Sequence, residues 1–263
     1  MKSIKSNIWI IFLLCNFWAC DQPKSEANST ANPGTPFDSS SDSQEKFHTD
    51  VISEVSDEMA MGSLETTLVE NGLVDIQALD SSILVDLRYS TTNNFVGVDV
   101  YGDLERCYLQ PKVAQKLIQA QAALEQYKPG YSLLVFDGAR PLSVQQIFWD
   151  TLAKPEGIKH LYVADPKEGS IHNYGSAVDL TIADAQHIPL DMGTEYDFFG
   201  ELAYPTKEKE LLEAGLLTPA QIENRQLLRD VMISAGFTPI NTEWWHFNAY
   251  SRKKAAELFE IIP

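Results

Sequence analysis

The fold and the chemistry of this chain are both marked by the stretch SIHNYGSAVDLTI at residues 170–182. Its second half, 177–182, is a short apolar run that predicts a buried strand. Asp179 lies inside that strand, whereas His172 lies in the polar loop that precedes it. Gly175 separates the two and permits a turn, because glycine adopts backbone conformations that other residues avoid. The stretch therefore predicts a loop residue and a strand residue that can face one site.

A second polar cluster, EWWH at residues 243–246, lies near the end of the chain. The two stretches together supply two histidines, an aspartate and a glutamate, and imidazole and carboxylate are ordinary zinc ligands. Residues three apart in a regular strand point to opposite faces, so Glu243 and His246 share a site only if the segment bends or lies at a strand end. A single histidine beside aromatic residues is more often a packed core residue than a ligand. Trp244 and Trp245 are predicted to be core or pocket-wall residues in either case.

The remaining elements indicate an α+β fold. Helices are predicted by apolar residues near one face or by a proline after a capping residue, and strands by short β-branched and aromatic runs. The predicted helices cover 111–127, 143–153, 218–236 and 252–262, and the predicted strands cover 82–89, 131–136, 177–182 and the end of 237–247. Because helices and strands do not alternate strictly, we expect a single domain with a central antiparallel or mixed sheet flanked by helices.

Composition excludes several classes of function. The chain has 263 residues, with 37 acidic and 20 basic side chains and a formal net charge of −17. This charge argues against binding to nucleic acid or to an anionic membrane surface, since both need clustered Lys and Arg. The cysteines are Cys15, Cys20 and Cys107, and the absence of a Cys-x-x-Cys pair excludes a cysteine zinc knuckle and a disulfide framework. Cys107 is predicted to be a small packing residue.

The N-terminal residues resemble a lipoprotein signal. Two lysines precede an apolar run that is too short to span a bilayer, and a small residue before Cys20 follows it. We therefore expect a signal peptide at 1–19 and a lipid on Cys20, which would make the protein exported and membrane-anchored on the periplasmic or cell-surface side. An ordinary secretion signal or an uncleaved anchor is the alternative. Residues 20–64 are rich in small polar residues and are expected to form a flexible tether, so the folded domain is expected at 65–263.

The order of the motifs resembles one family. The pattern Ser-x-His-x-x-Gly-x-Ala-x-Asp at 170–179, followed by Glu-x-x-His at 243–246, is similar to that of the zinc D,D-peptidases, and among them to the VanX-type D-alanyl-D-alanine dipeptidases. This resemblance implies the D,D-peptidase or hedgehog-like variety of the α+β fold. Other segments resemble the family's motifs in the same order, and they are 86–97 (DLRYSTTNNFVG), 137–141 (DGARP), 192–198 (MGTEYDF, beside the family's Met-Gly-x-x-Phe-Asp), 224–225 and 236–246.

The resemblance also implies a role for each matching residue. His172, Asp179 and His246 would hold one Zn²⁺ ion per chain, and zinc lowers the pKa of a bound water to about 7. Glu243 would act as the general base and then as the acid that protonates the leaving amine. Arg140 would stabilise the oxyanion that forms on the attacked carbonyl. The positions that match the family's substrate pocket are Tyr89, Ser170 and Asp197.

Some of these roles have structural alternatives, and the chain departs from the family pattern in places. Asp197 is the expected partner of the substrate ammonium, with a turn carboxylate as its alternative. For Arg140 the alternative is a surface ion pair. The departures concern the fit of the substrate more than metal binding, and they are Ala139 where tyrosine is common, Ile171, 173–174 and 200–207.

The expected activity is zinc-dependent hydrolysis of D-alanyl-D-alanine or similar D-dipeptides to free D-amino acids, in wall turnover or nutrient scavenging. No nucleic acid or protein partner is inferred, and membrane contact is expected only through the lipid on Cys20. Two alternatives stay open. One is a D,D- or L,D-carboxypeptidase that trims longer peptidoglycan stem peptides, which an open pocket would favour. The other is a non-catalytic, zinc-stabilised binding lipoprotein.

Overall fold

A mixed β-sheet and its surrounding helices make up the part of the chain that the computed structural model describes, residues 63–160 and 162–263. The α-helices are α1 (Ser63–Glu70), α2 (Ile76–Leu79), α3 (Pro111–Tyr127), α4 (Leu142–Thr151), α5 (Glu156–Lys159), α6 (Glu208–Glu213), α7 (Pro219–Ser234) and α8 (Arg252–Leu258). The strands are β1 (Val74–Asp75), β2 (Leu84–Val85), β3 (Tyr108–Leu109), β4 (Ser132–Asp137), β5 (Ala177–Ala183), β6 (Thr238–Pro239) and β7 (His246–Asn248). Short 3₁₀ helices lie at Arg88–Ser90, Ile171–Tyr174, Glu201–Ala203 and Pro205–Lys207.

The N-terminal predictions fall almost entirely beyond these residues. The expected signal peptide at 1–19, the lipid site at Cys20 and the expected tether up to residue 62 lie outside the described residues. Helix α1 begins at Ser63, just before the expected start of the domain. Within the described ranges, no helix combines the length and the apolar character needed to cross a bilayer.

The central sheet has the strand order β2-β4-β5-β7-β6. Strand β2 runs parallel to β4, and the pairs β4–β5, β5–β7 and β6–β7 are antiparallel. A separate two-stranded antiparallel sheet joins β1 to β3. The mixed sheet confirms the predicted α+β class.

Helices α3 and α7 pack on the central strands β4 and β5. The apolar positions predicted for α3, Val113, Leu117 and Leu124, are fully buried, and both ends of the predicted helix are confirmed. Burial of each such side chain contributes roughly 1.5–3 kcal/mol relative to exposure. Strands β4 and β5 are buried along their whole length, so the sheet is a rigid base for the side chains that it carries.

The strand predicted over 82–89 pairs only at Leu84–Val85. The chain then turns into a 3₁₀ helix, in which the Tyr89 side chain is buried and its carbonyl accepts hydrogen bonds from the amides of Val100 and Tyr101. A loop that is distant in sequence thus replaces the strand pairing that the local pattern predicts.

The last predicted helix, 252–262, ends at Leu258. The tail beyond it is extended because Ile262 is buried and both of its polar backbone groups form hydrogen bonds. The amide of Ile262 donates to the carbonyl of Asn173 (2.8 Å), and its carbonyl accepts from the amide of Leu142 (2.9 Å). The C-terminal tail therefore supports the 3₁₀ helix that carries His172.

Candidate metal centre and active site

The three residues assigned to metal binding converge at one end of the central sheet. Nε2 of His172 lies 3.3 Å from Oδ1 of Asp179 and 3.1 Å from Nδ1 of His246. Nδ1 of His246 lies 2.9 Å from the same carboxylate oxygen. Asp179 and His246 are directly opposite each other in the antiparallel strands β5 and β7, and His172 comes from the 3₁₀ helix that precedes β5.

A tight turn fixes the position of His172. Ser170 caps the 3₁₀ helix, and its hydroxyl accepts a hydrogen bond from the His172 amide (3.3 Å). Gly175 ends the helix in the left-handed conformation with φ of 59°, and a Cβ atom there would lie 2.8 Å from Cδ2 of Leu73. Both the backbone angle and the lack of space require glycine. Ser170 also borders the central cavity, in addition to its structural role as a cap.

The second ring nitrogen of each histidine is engaged away from the centre. Nδ1 of His172 donates to the carbonyl of Gly138 (2.7 Å), and Nε2 of His246 donates to Oδ1 of Asn248 (2.9 Å). These bonds leave the opposite nitrogens, which face Asp179, to offer lone pairs. Two imidazole nitrogens and one carboxylate oxygen, with room for a fourth ligand, are a donor set that fits zinc.

The ionisable groups of the cluster shift one another's pKa values. Burial raises the pKa of Asp179, but the charges and hydrogen bonds of His172 and His246 hold it far below its usual range. Burial lowers the pKa of His246, whereas the hydrogen bond and charge of Asp179 raise it to about 9. The metal-free cluster thus holds a proton on His246 at the point where the ligand atoms converge.

Glu243 borders the same cavity without joining the three ligands. Its Oε2 lies 4.0 Å from Nδ1 of His246. Strand β7 begins only at His246, so Glu243 lies in a bent segment before the strand, and this satisfies the condition for the two to share a site. Burial raises the pKa of Glu243, although the charge of His246 opposes the shift. Trp244 and Trp245 are buried, which confirms their interpretation as core residues.

Arg140 is held rigidly at the wall of the cavity. Its Nε donates to Oδ2 of Asp137 (3.0 Å), its Nη2 donates to the same oxygen, and its Nη1 donates to Oε1 of Gln145 (2.9 Å). The guanidinium lies 4.7 Å from the ring centre of Phe148 and 5.4 Å from that of Tyr89. Burial lowers the pKa of Arg140, but the charge of Asp137 raises it well above its usual value. The alternative of a surface ion pair is wrong, because both partners are buried.

Asp137 is a site residue that sequence reasoning did not single out. Besides binding Arg140, it accepts hydrogen bonds at Oδ1 from the Tyr101 hydroxyl (2.6 Å) and from the Gly138 amide (2.9 Å). Gly138 is also the residue whose carbonyl orients His172. One buried carboxylate therefore holds both the arginine and the peptide that supports a metal ligand. The sequence does draw attention to this aspartate, because Asp137 is the first residue of the DGARP segment at 137–141.

Tyr89 and Asp197 form a hydrogen-bonded pair on another wall of the cavity. The Tyr89 hydroxyl donates to Oδ2 of Asp197 (2.9 Å). Asp197 has a φ of 60°, a left-handed conformation that is uncommon outside glycine and marks local strain. Burial raises the pKa of Asp197 well above its usual value, and the nearby Asp179 charge adds to this shift. A cation beside Asp197 would restore its ionised form.

Two further side chains that the sequence did not indicate contact the candidate metal ligands. The hydroxyl of Tyr196 donates to Oδ2 of Asp179 (2.9 Å), and Asn248 accepts from His246. Asn248 lies two residues after His246 on the same strand face, so the period of a strand could have identified it. Tyr196 lies in the segment 192–198 that resembles a family motif, at the position where that motif has Phe, but the motif does not indicate a contact with Asp179.

The site opens into a cavity of about 260 Å³ that borders a second one of about 700 Å³. The first contains Arg140, Asp197, Glu243 and the three ligands. Residues common to both linings are Tyr162, Val163, Ala164, Ile240, Glu243 and Arg252. Ala139 does not line the smaller cavity, whose aromatic wall comes instead from other parts of the chain: Tyr89, Phe95, Phe148 and Phe199.

The family model described as Peptidase_M15, D-ala-D-ala dipeptidase, matches residues 69–262. The chain is 31% identical over 175 residues to a D-alanyl-D-alanine dipeptidase of Escherichia coli K12, an alignment that covers 66% of this chain and 83% of the relative. It is 32% identical over 197 residues to a D-alanyl-D-alanine dipeptidase of Enterococcus faecalis, with 68% and 92% covered.

A solved structure, described as the LdcB LD-carboxypeptidase with its basis of peptidoglycan recognition, is also similar to the chain. The identity is 21% and the TM-score is 0.35, over 57% of this chain and 63% of that one.

Proposed function

The chain belongs to the Peptidase_M15 family of D-ala-D-ala dipeptidases and is a peptidase, and from that premise we propose that it hydrolyses D-alanyl-D-alanine or similar D-dipeptides with one zinc ion. The observation that carries the proposal is the convergence of His172, Asp179 and His246 in one cavity with Glu243 and Arg140. This cavity contains a metal-ligand set, a carboxylate outside that set and a fixed cation, which are the parts that metal-assisted peptide hydrolysis needs.

The metal would be held by Nε2 of His172, Oδ1 of Asp179 and Nδ1 of His246. Zinc bound there would supply an acidified water at neutral pH and polarise the substrate carbonyl. The hydrogen bonds from His172 to Gly138 and from His246 to Asn248 support this arrangement, since they fix the tautomer and the ring orientation of each ligand.

Glu243 would carry the proton. Its carboxylate accepts a proton from the attacking water and then delivers it to the nitrogen of the leaving amino acid as the peptide C–N bond breaks. The raised pKa of Glu243 supports this role, because a carboxylate with a higher pKa is the stronger base toward the attacking water and retains the proton until the leaving nitrogen takes it. Its position near His246 but outside the ligand set leaves the carboxylate available for this transfer.

Arg140 would stabilise the charge that develops on the substrate carbonyl oxygen. Its bonds to Asp137 and Gln145 use three of the five guanidinium N–H groups, which leaves one on Nη1 and one on Nη2 within the described residues. Because Asp137, Gln145 and the stacked rings already fix the guanidinium, little reorganisation is needed when the oxyanion forms.

Asp197 would bind the substrate ammonium, with Tyr89 holding its carboxylate in place. An ammonium ion provides the positive partner that this partly buried carboxylate lacks, and such a contact is a charge-assisted hydrogen bond. The cavity volume of about 260 Å³ is slightly below the range of roughly 300–1,000 Å³ that small-molecule sites span, and this favours a substrate as small as a dipeptide.

The neighbouring cavity favours a second candidate function, a carboxypeptidase that trims longer stem peptides. Its volume of about 700 Å³ and the lining that it shares with the metal cavity, including Glu243 and Arg252, provide space for substrate residues beyond a dipeptide. The two candidates share the same chemistry and differ only in the length of the accepted peptide.

Export and lipid attachment at Cys20 are part of the same proposal, and they rest on the N-terminal sequence alone. Fractionation of cells that express the full chain, with a Cys20→Ala variant beside it, would test both. We expect the wild-type chain in the membrane fraction and the variant outside it.

The decisive experiment incubates the zinc-loaded protein with D-Ala-D-Ala, L-Ala-L-Ala and a pentapeptide that ends in D-Ala-D-Ala, before and after chelation. Chelator-sensitive cleavage of the D,D-dipeptide alone supports the dipeptidase, and release of D-Ala from the pentapeptide supports the carboxypeptidase. Folded, zinc-loaded protein that cleaves none of these substrates would contradict both.

A further inference from the structure

The loop residue Tyr196 makes a contact with the metal cluster that the proposed mechanism does not use. Its hydroxyl donates to Oδ2 of Asp179 (2.9 Å), the carboxylate oxygen that does not face the two histidines. The other oxygen, Oδ1, is the one that lies near His172 and His246. The two oxygens of one carboxylate are thus assigned to different partners.

The ring of Tyr196 is fixed by its surroundings. Its centre lies 5.1 Å from that of Phe136, 5.5 Å from Trp245 and 6.1 Å from Tyr89, with the Trp245 and Tyr89 rings edge-on. A phenol held on three sides loses little side-chain entropy when it forms a hydrogen bond. The hydroxyl therefore acts as a preset donor rather than as one that competes with solvent.

We propose that Tyr196 is a positioning residue for the metal ligand Asp179. By engaging Oδ2, it turns Oδ1 toward the metal position and disfavours capture of the metal by both carboxylate oxygens. A single carboxylate oxygen with two imidazoles keeps the centre at three protein ligands, which leaves the position that a catalytic site requires. This inference rests on the zinc site of the proposed function.

A second tyrosine hydroxyl, that of Tyr89, lies beside the hydroxyl of Tyr196. The Tyr196 hydroxyl oxygen lies 3.3 Å from that of Tyr89, which in turn donates to Asp197. Each phenol has a single hydroxyl proton, and both protons are already donated to carboxylates, so the two hydroxyls are neighbours that act on Asp179 and Asp197 separately.

The test compares Tyr196→Phe with Tyr108→Phe in the full chain. The first change keeps the packed ring and removes only the donor to Asp179. The second removes a donor of the same kind, since Tyr108 is a buried tyrosine that donates to the Glu65 carboxylate (2.6 Å) and does not line the metal cavity. Zinc affinity is measured by competition with a chromogenic chelator, and coordination is followed in the visible spectrum of the cobalt-substituted protein.

We expect Tyr196→Phe to weaken zinc binding by about 10- to 100-fold, the usual effect of losing an outer partner of a ligand. Its cobalt spectrum should shift toward higher coordination as the carboxylate becomes bidentate, whereas Tyr108→Phe should change neither quantity. Wild-type zinc affinity and an unchanged cobalt spectrum in folded Tyr196→Phe would overturn the positioning role alone. A wild-type protein that binds no zinc would overturn the proposed function and this role with it.

Discussion

The two halves of the active-site cavity are built differently. The metal half is formed by residues on paired strands and a capped 3₁₀ helix, and His172 and Asp179 are 2% and 3% exposed. The substrate half is formed largely by a loop in which Asp197 has a left-handed backbone, and its neighbours Phe198 and Phe199 are 42% and 36% exposed. Sheet register fixes the first half, whereas loop packing fixes the second.

This difference indicates which properties each half controls. Strand pairing holds Asp179 and His246 in place regardless of substrate, so changes there should act on metal affinity and on the chemical step. Loops have fewer buried contacts and open more easily. Changes in the substrate half should therefore act on substrate affinity and on the length of the accepted peptide.

The largest expected effect comes from Glu243→Gln in the metal half. The amide cannot accept the proton of the attacking water, so kcat on D-Ala-D-Ala should fall by about 10²- to 10⁴-fold. Zinc affinity should stay close to that of the wild type, because Glu243 is outside the ligand set. Steady-state kinetics and chelator competition measure the two quantities, with the exposed Glu223→Gln as the matched control.

If Glu243→Gln lost zinc as well as activity, Glu243 would belong to the ligand set. Retained activity with zinc in place would instead remove it from the proposed mechanism.

The second-largest expected effect distinguishes the substrate half from the metal half. Asp197→Asn keeps the shape of the side chain but removes its charge, and a hydrogen bond to a charged group contributes about 1.5–3 kcal/mol. We therefore expect KM for D-Ala-D-Ala to rise about tenfold to a hundredfold with a smaller change in kcat. The exposed Asp103→Asn serves as the control. A fall in kcat at constant KM would show that the substrate half participates in the chemical step. The assignment of separate properties to the two halves would then be wrong.

The arrangement of the metal half is easier to predict from the sequence than that of the substrate half, for a physical reason. His172, Gly175 and Asp179 are close in sequence, and a strand pattern with one glycine limits how they can be arranged. Their companions at 243–246 were also identified, and the structure meets the stated condition that this segment bends before His246. Both ends of helix α3 were predicted correctly, because a proline at the first helical position and an apolar face are local signals.

The residues that sequence reasoning missed act over long distances in the chain. Tyr196 reaches Asp179 from a loop, and Asp137 joins Tyr101, Gly138 and Arg140. Nothing local in the sequence reports such contacts, because they depend on how loops pack on the sheet. The predicted strand at 82–89 was too long for the same reason.

A smaller effect tests how rigid the metal half must be. Gly175→Ala adds a methyl group at a positive φ and within 2.8 Å of Leu73, whereas Gly215→Ala adds one at a positive φ of 68° with open space around it. The backbone conformation alone costs about 1–2 kcal/mol in either variant. The clash adds to this cost only at Gly175, by about 1–3 kcal/mol.

Thermal or denaturant unfolding measures both glycine variants. We expect Gly175→Ala to be the less stable and to bind zinc more weakly, since it displaces the turn that holds His172. Equal stability of the two variants, with equal zinc affinity, would show that this turn tolerates movement.

The smallest expected effect is the release of a proton from His246 when zinc binds. His246 has a pKa of about 9 in the metal-free cluster, mainly because Asp179 offsets the effect of burial, so zinc must displace its proton at pH 7. The raised pKa contributes stability to the metal-free protein below the unfolded value of about 6.5, and this contribution is lost as the pH rises through about 9. Zinc affinity should change in the opposite direction, rising with pH up to about 9 and levelling off above it.

An indicator dye in weakly buffered solution should therefore record about one proton released from His246 per zinc bound near pH 7, with a further fraction of a proton from the zinc-bound water. Zinc affinity that stays constant between pH 7 and pH 9 would mean that His246 is already neutral, and that Asp179 faces an uncharged ring in the metal-free protein. In that case the sheet register alone, without a proton between the two side chains, would hold the metal half in the geometry that zinc requires.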